Sequence, residues 1–254
     1  MNNHRGRNLL VSAVLSAMLL LCGCSTLPQT GPDTVPPLRT YEAVVKGEGP
    51  HLLEVGDSME GFNRGTYRFN YYFDEYFFLP IVRTYEFIMP NYLEDRVSSA
   101  IDNISEFGNL TNNLFQLKFK DAGITLSRFV VNSTVGIAGL WDPASTWGLK
   151  RQTEDFGQTL GHYGVGSGSY VVLPILGPSN VRDTTGIIAD SAAFSLIGPA
   201  AWVDDTTISM AYAGTAAVDR RHRIRLRYHQ TGSPFEYELL RTLYSMKREY
   251  DIAN

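Results

Sequence analysis

The chain has 254 residues, of which 44% are hydrophobic and 19% are charged, and its formal net charge is −4. The acidic balance argues against general nucleic-acid binding, which needs a basic face. The two cysteines, Cys22 and Cys24, both lie close to the N-terminus. We therefore expect no disulfide in the folded part and predict that apolar burial holds it together.

Residues 1–23 are predicted to be a lipoprotein signal peptide. Arg5 and Arg7 form a positive n-region, and the apolar run Leu9–Leu21 is too short to span a membrane as a helix. Leu21-Cys22-Gly23-Cys24 resembles a bacterial lipobox, so we expect lipidation at Cys24 and a stable membrane anchor. An ordinary signal peptide cut nearby is the alternative. Ser25 follows the box, and in Gram-negative lipoproteins that resemblance implies sorting to the outer membrane, on its periplasmic side.

Residues 24–56 form a predicted tether that is rich in proline and glycine and has little periodicity. Such a spacer lets a folded domain sit at a distance from its anchor, and we expect it to carry no chemistry. Residues 57–254 are predicted to form one helical domain.

This domain is predicted to begin with an amphipathic helix. Asp57 and Glu60 have the spacing of a capping box. Between residues 67 and 92, eleven of 26 residues are Phe or Tyr, a density that suits the boundary between lipid headgroups and acyl chains. A plain aromatic core is the alternative. Pro80 and Pro90 are each expected to stop the helix. The apolar stripe at helical spacing is Met59, Phe62, Thr66, Phe69, Phe73 and Phe77.

Further helices are predicted to begin at Asn91, Asp121, Ser179 and Ser233, with another around Ile208. The segments before and after Gly108 are expected to pair as a helical hairpin. Each predicted helix has about 12 to 16 residues, roughly 18–24 Å, which is less than the roughly 30 Å hydrocarbon core of a bilayer. The sequence therefore predicts an all-α fold with almost no strand and no spanning helix.

The stretch Phe156–Val181 contains no Asp, Glu, Lys or Arg but six glycines and two prolines. This composition argues against a regular helix, and only Tyr170–Leu173 has the pattern of a short extended piece. Such irregular backbone is tolerated at membrane depth where protein covers it or a cavity adjoins it. A long buried loop in a soluble domain is the alternative.

The sequence shows no catalytic signature, and we expect neither an enzyme nor a cofactor or metal. The histidines after the signal peptide are scattered without ligand spacing, and no nucleophile elbow or P-loop is present. His162 is interpreted either as a headgroup contact or as a buried histidine with satisfied hydrogen bonds.

Five arginines are concentrated between Arg220 and Arg227. Guanidinium groups bind phosphate through paired hydrogen bonds, so anionic lipid is one expected partner. A solvated helix face and an acidic partner protein are the alternatives.

Taken together, these residues resemble the VacJ-type (MlaA) outer-membrane lipoprotein family over roughly residues 57–254. The first motif is Glu60-Gly61-Phe62-Asn63-Arg64, with Tyr67 and Phe69-Asn70. The second is Arg128-Phe129, with Asn132-Ser133-Thr134 and Gly136. The third runs from Phe156 to Gly166 and is followed by Leu173-Pro174, Gly177-Pro178-Ser179 and Arg182-Asp183.

The resemblance implies a ring of amphipathic helices in the inner leaflet of the outer membrane, around an amphipathic channel open to the periplasm. Members of the family associate with trimeric porins, remove phospholipid mislocalised to the outer leaflet, and pass it to a periplasmic lipid carrier. A structural tethering lipoprotein and a periplasmic lipid-modifying enzyme are the competing interpretations.

We assign three sets of candidate site residues on this basis. Glu60, Asn63 and Arg64, in the motif with Gly61 and Phe62, are predicted to fix the first helix against the glycine-rich stretch. Arg182, Asp183, Arg220, Arg221 and Arg223 are candidate contacts to a headgroup or a partner. The candidate lipid path is Phe156, Gly157, Leu160, Gly161, His162, Tyr163, Gly164, Val165, Gly166, Tyr170, Val172 and Pro174.

Overall fold

The computed structural model describes residues 55–202, 205–230 and 232–253. The predicted signal peptide, the lipidation site Cys24 and nearly all of the tether therefore lie outside the described residues. Within the described part, the chain is mostly helical, as predicted, and has one short β-hairpin.

Nine α-helices lie within the described residues. They are α1 (Glu60–Phe73), α2 (Leu79–Ile88), α3 (Asn91–Phe115), α4 (Phe119–Thr134), α5 (Pro143–Thr146), α6 (Phe156–His162), α7 (Val181–Leu196), α8 (Thr206–Arg223) and α9 (Glu236–Ala253). A π-helical turn, Asp74–Phe78, joins α1 to α2, and a 3-10 turn, Pro199–Trp202, follows α7. Strands β1 (Tyr170–Leu173) and β2 (Gly177–Asn180) pair antiparallel, with Tyr170 opposite Asn180.

Burial in this fold is inverted relative to an ordinary globular protein. Among the described residues, seven apolar side chains are buried, whereas twenty-five polar or charged side chains are buried. Many large apolar side chains instead lie on the outside, and Phe87 is 90% exposed. The prediction that apolar burial holds the chain together is therefore wrong for the described part, where hydrogen bonds and ion pairs occupy the interior.

Helix α1 illustrates the inversion. Its predicted apolar stripe lies on the outside of the domain, where Phe62 and Phe69 are about half exposed. The buried face carries Asn63, Thr66 and Asn70. Asn63 and Asn70 donate to backbone carbonyls of β1, at Tyr170 and Leu173. The alternative of a plain aromatic core is wrong for the exposed aromatic residues of this region.

Helix α3 has 25 residues and runs straight through Gly108, so the predicted hairpin of two shorter helices is wrong. A single glycine costs a helix only about 1 kcal/mol, and no proline interrupts this one. At 1.5 Å per residue the helix is roughly 37 Å long. Its buried face is polar and includes Glu106, Asn109 and Asn112. No individual helix of the described residues combines the length and apolar composition needed to cross a bilayer.

Several predicted helix starts are displaced by one to three residues. Asp57 accepts from the Met59 N–H at 3.2 Å, which closes a turn before α1, and Met59 rather than Asp57 takes the N-cap position. Helix α7 is capped by Asn180, whose side chain accepts from the Asp183 N–H at 2.7 Å, and not by Ser179. The helices predicted to be capped by Asn91, Asp121 and Ser233 have their first residues at Asn91, Phe119 and Glu236.

Pro80 does not stop the helix, contrary to prediction, whereas Pro90 separates α2 from α3. The π-helical turn ends at Phe78, two residues before Pro80, and the Leu79 N–H donates to the Asp74 carbonyl five residues back. This wider turn accommodates a ring that lacks an N–H and clashes with the preceding turn of a regular helix.

The glycine-rich stretch is more regular than predicted, because Phe156–His162 forms α6. Asp155 caps this helix, accepting from the Gln158 N–H at 2.8 Å. Glycine allows α6 and α7 to approach closely: a Cβ at Gly186 would lie 2.4 Å from the Gly157 nitrogen. The extended piece predicted at Tyr170–Leu173 is confirmed as β1.

Candidate functional site

A cavity of about 660 Å³ lies between α3, α7 and α8, with the 3-10 turn at one side. Its volume falls within the range of small-molecule binding sites. Most of its wall is apolar and comes from three helices. The apolar side chains from these helices are Ile104, Phe107, Ala193, Phe194, Ile208 and Ala213, and the 3-10 turn adds Pro199 and Ala200.

One part of the cavity lining is polar and is built by Asn109, Glu154 and Asp190. The Asn109 side-chain oxygen accepts from the Glu154 N–H at 3.1 Å, which positions Glu154 beside α3. The Glu154 carboxylate accepts from Lys118 Nζ and from Gln116 Nε2, each at 2.8 Å. Glu154 is therefore neutralised by a cation that does not line the cavity.

Asp190 lies in a different environment from Glu154. Its carboxylate accepts from the Asn112 amide and from the Phe156 N–H, each at 2.9 Å. Among the described residues, no lysine, arginine or histidine forms an ion pair with it. Burial raises the pKa of Asp190 above its usual value, although both hydrogen bonds favour the ionised form. The cavity thus combines an apolar wall with a carboxylate that lacks a paired cation.

An ion-pair cluster fixes α9 against α6 and α7. Arg248 donates to Asp155 at 2.6 and 2.8 Å and to Asp183 at 2.8 and 3.0 Å. Burial opposes ionisation of both carboxyl groups, but the hydrogen bonds from Arg248 outweigh it and lower the pKa of each. Tyr244 adds a hydrogen bond to Asp183 at 2.7 Å.

The residues predicted to form the lipid path do not line this first cavity. Gly161, Gly166 and Tyr170 instead line a second cavity of about 430 Å³, together with Arg182 and Arg248. The remaining members of the predicted path are distributed among buried, partly buried and exposed positions. Gly157 and Val172 are buried, Phe156 and Leu160 are partly buried, and His162, Tyr163, Gly164, Val165 and Pro174 are exposed.

Two of these residues have clear structural surroundings. Val172 belongs to the small hydrophobic cluster with Tyr170 and Tyr237, so its side chain packs in the interior. His162 is exposed, with its ring at 5.3 Å from that of Tyr163, and the interpretation of a buried histidine is wrong.

The Glu60–Arg64 motif contacts two different elements. Asn63 bonds the hairpin, donating to the Tyr170 carbonyl at 3.0 Å and accepting from the Val172 N–H at 2.8 Å. Arg64 pairs with Glu60 within α1 and with Glu238 on α9. Gly61 and Phe62 lie on the exposed side of the helix. Within the motif, Asn63 is thus the residue that bonds the glycine-rich stretch.

Two of the five arginines in the cluster, Arg221 and Arg223, are paired with carboxylates of the same chain. Arg221 is buried and donates to both carboxylate oxygens of Asp74, at 2.6 and 2.7 Å. Arg223 pairs with Asp102 at 2.9 Å and with Asp219 at 2.5 Å. The interpretation of the whole cluster as a solvated helix face is therefore wrong for Arg221, whereas Arg220 is exposed.

Arg182 and Asp183 also form hydrogen bonds and an ion pair within the molecule. The Arg182 guanidinium contacts Asp183 at 3.0 Å and donates to the Val165 carbonyl at 3.3 Å. Both side chains are buried, so these two residues stabilise the packing of α7 against the glycine-rich loop.

Sequence reasoning missed the polar lining of the first cavity. One signal was present in the sequence, because Asp190 is the only charged residue between Asp183 and Asp204. A single carboxylate in so long an uncharged run indicates a titratable group in apolar surroundings, which is one mark of a candidate functional site. Within the described residues, no cluster of His, Cys, Asp or Glu could hold a metal ion.

Comparisons with known proteins give a consistent result. A family model described as MlaA lipoprotein matches residues 55–251. A protein of Rickettsia prowazekii (strain Madrid E) is 40% identical over 143 residues, 56% of this chain and 57% of that protein. The chain thus spans little more than half the length of that relative. The intermembrane phospholipid transport system lipoprotein MlaA of Haemophilus influenzae is 33% identical over 173 residues, 67% of this chain and 68% of the relative.

The protein of the same name from Escherichia coli (strain K12) is 35% identical over 138 residues, which cover 53% of this chain and 55% of that protein. One solved structure comes from work on the structural basis for maintenance of bacterial outer membrane lipid asymmetry. It matches with a TM-score of 0.65 and 26% sequence identity, covering 78% of this chain and 99% of that chain.

Proposed function

The chain belongs to the MlaA lipoprotein family, and from that premise we propose that it is an outer-membrane lipoprotein that transports phospholipid between membranes. In this proposal, it removes phospholipid mislocalised to the outer leaflet and passes it through an amphipathic passage to a periplasmic carrier protein. A lipid anchor at Cys24 holds it on the periplasmic side of the membrane, beside a trimeric porin. The chain acts as a conduit and not as an enzyme.

The observation that carries the proposal is the cavity between α3, α7 and α8. A phospholipid has a charged headgroup and apolar chains, so its path needs both kinds of lining. The cavity offers an apolar wall around Phe107 and Phe194 and a polar end at Asp190. We therefore place the passage at this cavity rather than along the predicted lipid path. The hydrogen bond from the Phe156 N–H to Asp190 connects the predicted path to the cavity.

The inverted burial supports the membrane location. Exposed apolar side chains are costly in water, and large exposed apolar surfaces mark contact with a membrane or a partner. The outward-facing apolar side chains of α1, α2 and α8 would be covered by acyl chains, while the polar interior keeps its hydrogen bonds. Helices of this kind lie in the interface plane of one leaflet.

The test is the amount of phospholipid in the outer leaflet of cells that lack the gene. Accumulation that an intact copy cures, and a Cys24→Ala copy does not, would support lipid transport by an anchored protein. Absence of accumulation would contradict the proposal and favour a tethering lipoprotein.

A pair of glycine substitutions tests the passage itself. Gly108 lies in the middle of α3 at the cavity wall, and its Cβ position is free of neighbours. Gly108→Phe is expected to fill the cavity and block complementation. Gly123→Phe places the same side chain at an exposed and equally open position on α4. Equal complementation by both variants, at equal protein levels, would contradict the placement of the passage.

A further inference from the structure

We propose that the cavity selects phospholipids whose headgroup carries an ammonium group, with Asp190 as the residue that recognises it. This inference rests on the proposed function and adds the class of lipid that the site prefers. It concerns the order of preference among phospholipids, which the family assignment leaves open.

The charges of the lining support this choice of ligand. Glu154 and Asp190 are the charged side chains among the described residues that line the cavity, and both are acidic. Lys118 neutralises Glu154 from outside the lining, whereas Asp190 has hydrogen-bond donors and no paired cation. Arg248 acts on Asp190 only at longer range and is itself bonded to Asp155 and Asp183. The polar end of the lining therefore carries a negative charge without a directly paired cation.

Asp190 also has the capacity to bind a further donor. A carboxylate has about four acceptor sites, and the Asn112 amide and the Phe156 N–H occupy one on each oxygen. A headgroup ammonium supplies up to three N–H donors and a positive charge. It would complete the hydrogen bonding of Asp190 and neutralise it inside a partly buried site, where charge pairing is stronger than in water.

An anionic headgroup fits the same lining poorly. An ethanolamine headgroup is neutral overall, because its ammonium balances its phosphate. A glycerol headgroup leaves the phosphate unbalanced, so its negative charge would lie near that of Asp190 and be repelled. The apolar wall from Phe107 and Phe194 is the same for both lipids. The headgroup charge therefore decides the preference.

The experiment uses the full, lipidated protein in a non-ionic detergent. Dioleoyl phosphatidylethanolamine and dioleoyl phosphatidylglycerol are offered together in equal amounts, and the bound lipids are counted by mass spectrometry. We expect a preference of about fivefold for the ethanolamine lipid, in the range of one partly screened charge pair. Asp190→Asn should bring the ratio close to one. Asp95→Asn, at an exposed position on α3 outside the cavity, should leave it unchanged.

A second variant adds a positive charge and keeps both carboxylates. Ser209 lines the cavity from α8, and Ser209→Lys is expected to shift the preference toward the glycerol lipid. If Asp190→Asn fails to fold, this shift still tests whether the charge of the cavity lining sets the lipid preference. An equal preference in the wild-type protein, or one that neither substitution changes, would overturn the inference.

Two further outcomes separate the inference from its premise. Binding of neither lipid would contradict the proposed function itself, whereas binding of both without preference would overturn only the selectivity.

Ethanolamine in water is tested as a competitor, since a soluble amine offers the same ammonium without acyl chains. We expect it to displace the lipid weakly, because the apolar wall remains unfilled. Displacement at concentrations equal to those of the lipid would show that the site binds soluble amines instead.

Discussion

Asn63 on α1 holds the backbone of β1 at Val172, accepting from the Val172 N–H at 2.8 Å. The same side chain donates to the Tyr170 carbonyl and to Asp57, and no part of Asn63 is exposed. One amide thus joins the first motif of the sequence to the glycine-rich stretch more than a hundred residues later.

The first prediction concerns this amide. Asn63→Ala leaves a buried N–H and a buried carbonyl without their partner, so we expect the free energy of unfolding to fall by about 2–4 kcal/mol. Asn91→Ala, at an exposed position on α3, should change it by less than about 0.5 kcal/mol. Urea unfolding in detergent, followed by tryptophan fluorescence, measures both values. Equal stabilities would show that the hairpin does not depend on Asn63.

The second prediction compares neighbouring arginines. Arg221→Gln leaves the Asp74 carboxylate buried without its bidentate partner, and we expect a loss of about 3 kcal/mol. Arg220→Gln, at the exposed position next to it, is expected to cost less than about 0.5 kcal/mol. Thermal unfolding of the two variants tests this difference. A larger effect at Arg220 would contradict the assignment of Arg221 as the structural arginine.

The third prediction concerns the close contact between α6 and α7. Gly186→Ala would place a Cβ at 2.4 Å from the Gly157 nitrogen, so the two helices must separate, at a cost of about 1–3 kcal/mol. Gly123→Ala meets no atom and improves helix propensity, so it is expected to stabilise by up to about 1 kcal/mol. We expect the melting temperature to fall for Gly186→Ala and to rise for Gly123→Ala. A stabilised Gly186→Ala variant would mean that α6 and α7 are not in close contact.

The fourth prediction is a pair of opposite pH dependences. Hydrogen bonds from Ser145, Arg128 and Asn132 outweigh the effect of burial and lower the pKa of Asp142 to about 2. Because the unfolded value is about 3.9, the stability contributed by this carboxylate is present above pH 4 and is lost as the pH falls toward 2. Asp142→Asn should therefore be less stable than wild type at neutral pH, with a difference that shrinks in acid.

The Asp190→Asn variant should show the opposite pH dependence of stability, because burial raises the pKa of Asp190. The folded state then holds a proton that the unfolded state releases, so the carboxyl group destabilises the fold as the pH rises through the raised pKa. The stability of Asp190→Asn relative to wild type should increase over that range. Unfolding curves at several pH values measure both variants, and parallel pH profiles for the two would contradict these opposite roles.

Much of the architecture was predictable from local sequence. Helical spacing, the proline at residue 90 and the short extended segment at Tyr170–Leu173 each depend on near neighbours in the chain, and these features are present in the structure. The family resemblance also followed from short motifs, which are themselves local. Helix boundaries were less accurate, since Asp57 can bond either a turn or a helix start and only the surrounding packing decides between them.

Tertiary structure decided which face of each helix turns toward the interior. A stripe of Phe62, Phe69 and Phe77 is apolar in any context, but periodicity does not indicate whether water, lipid or protein covers it. Here the polar partners of Asn63 and Asn70 lie in the hairpin, so the polar face turns inward and the aromatic face outward.

The sequence by itself thus determined the helical class of the described part, the glycine-rich segment and the family, because motifs and periodicity act over short distances. The cavity was decided only by the fold. Asn112, Phe156 and Asp190 are far apart in the chain and meet because α3, α6 and α7 pack together. That packing depends on the ion pairs of Arg248 and on the close approach at Gly157 and Gly186, which are contacts between distant residues.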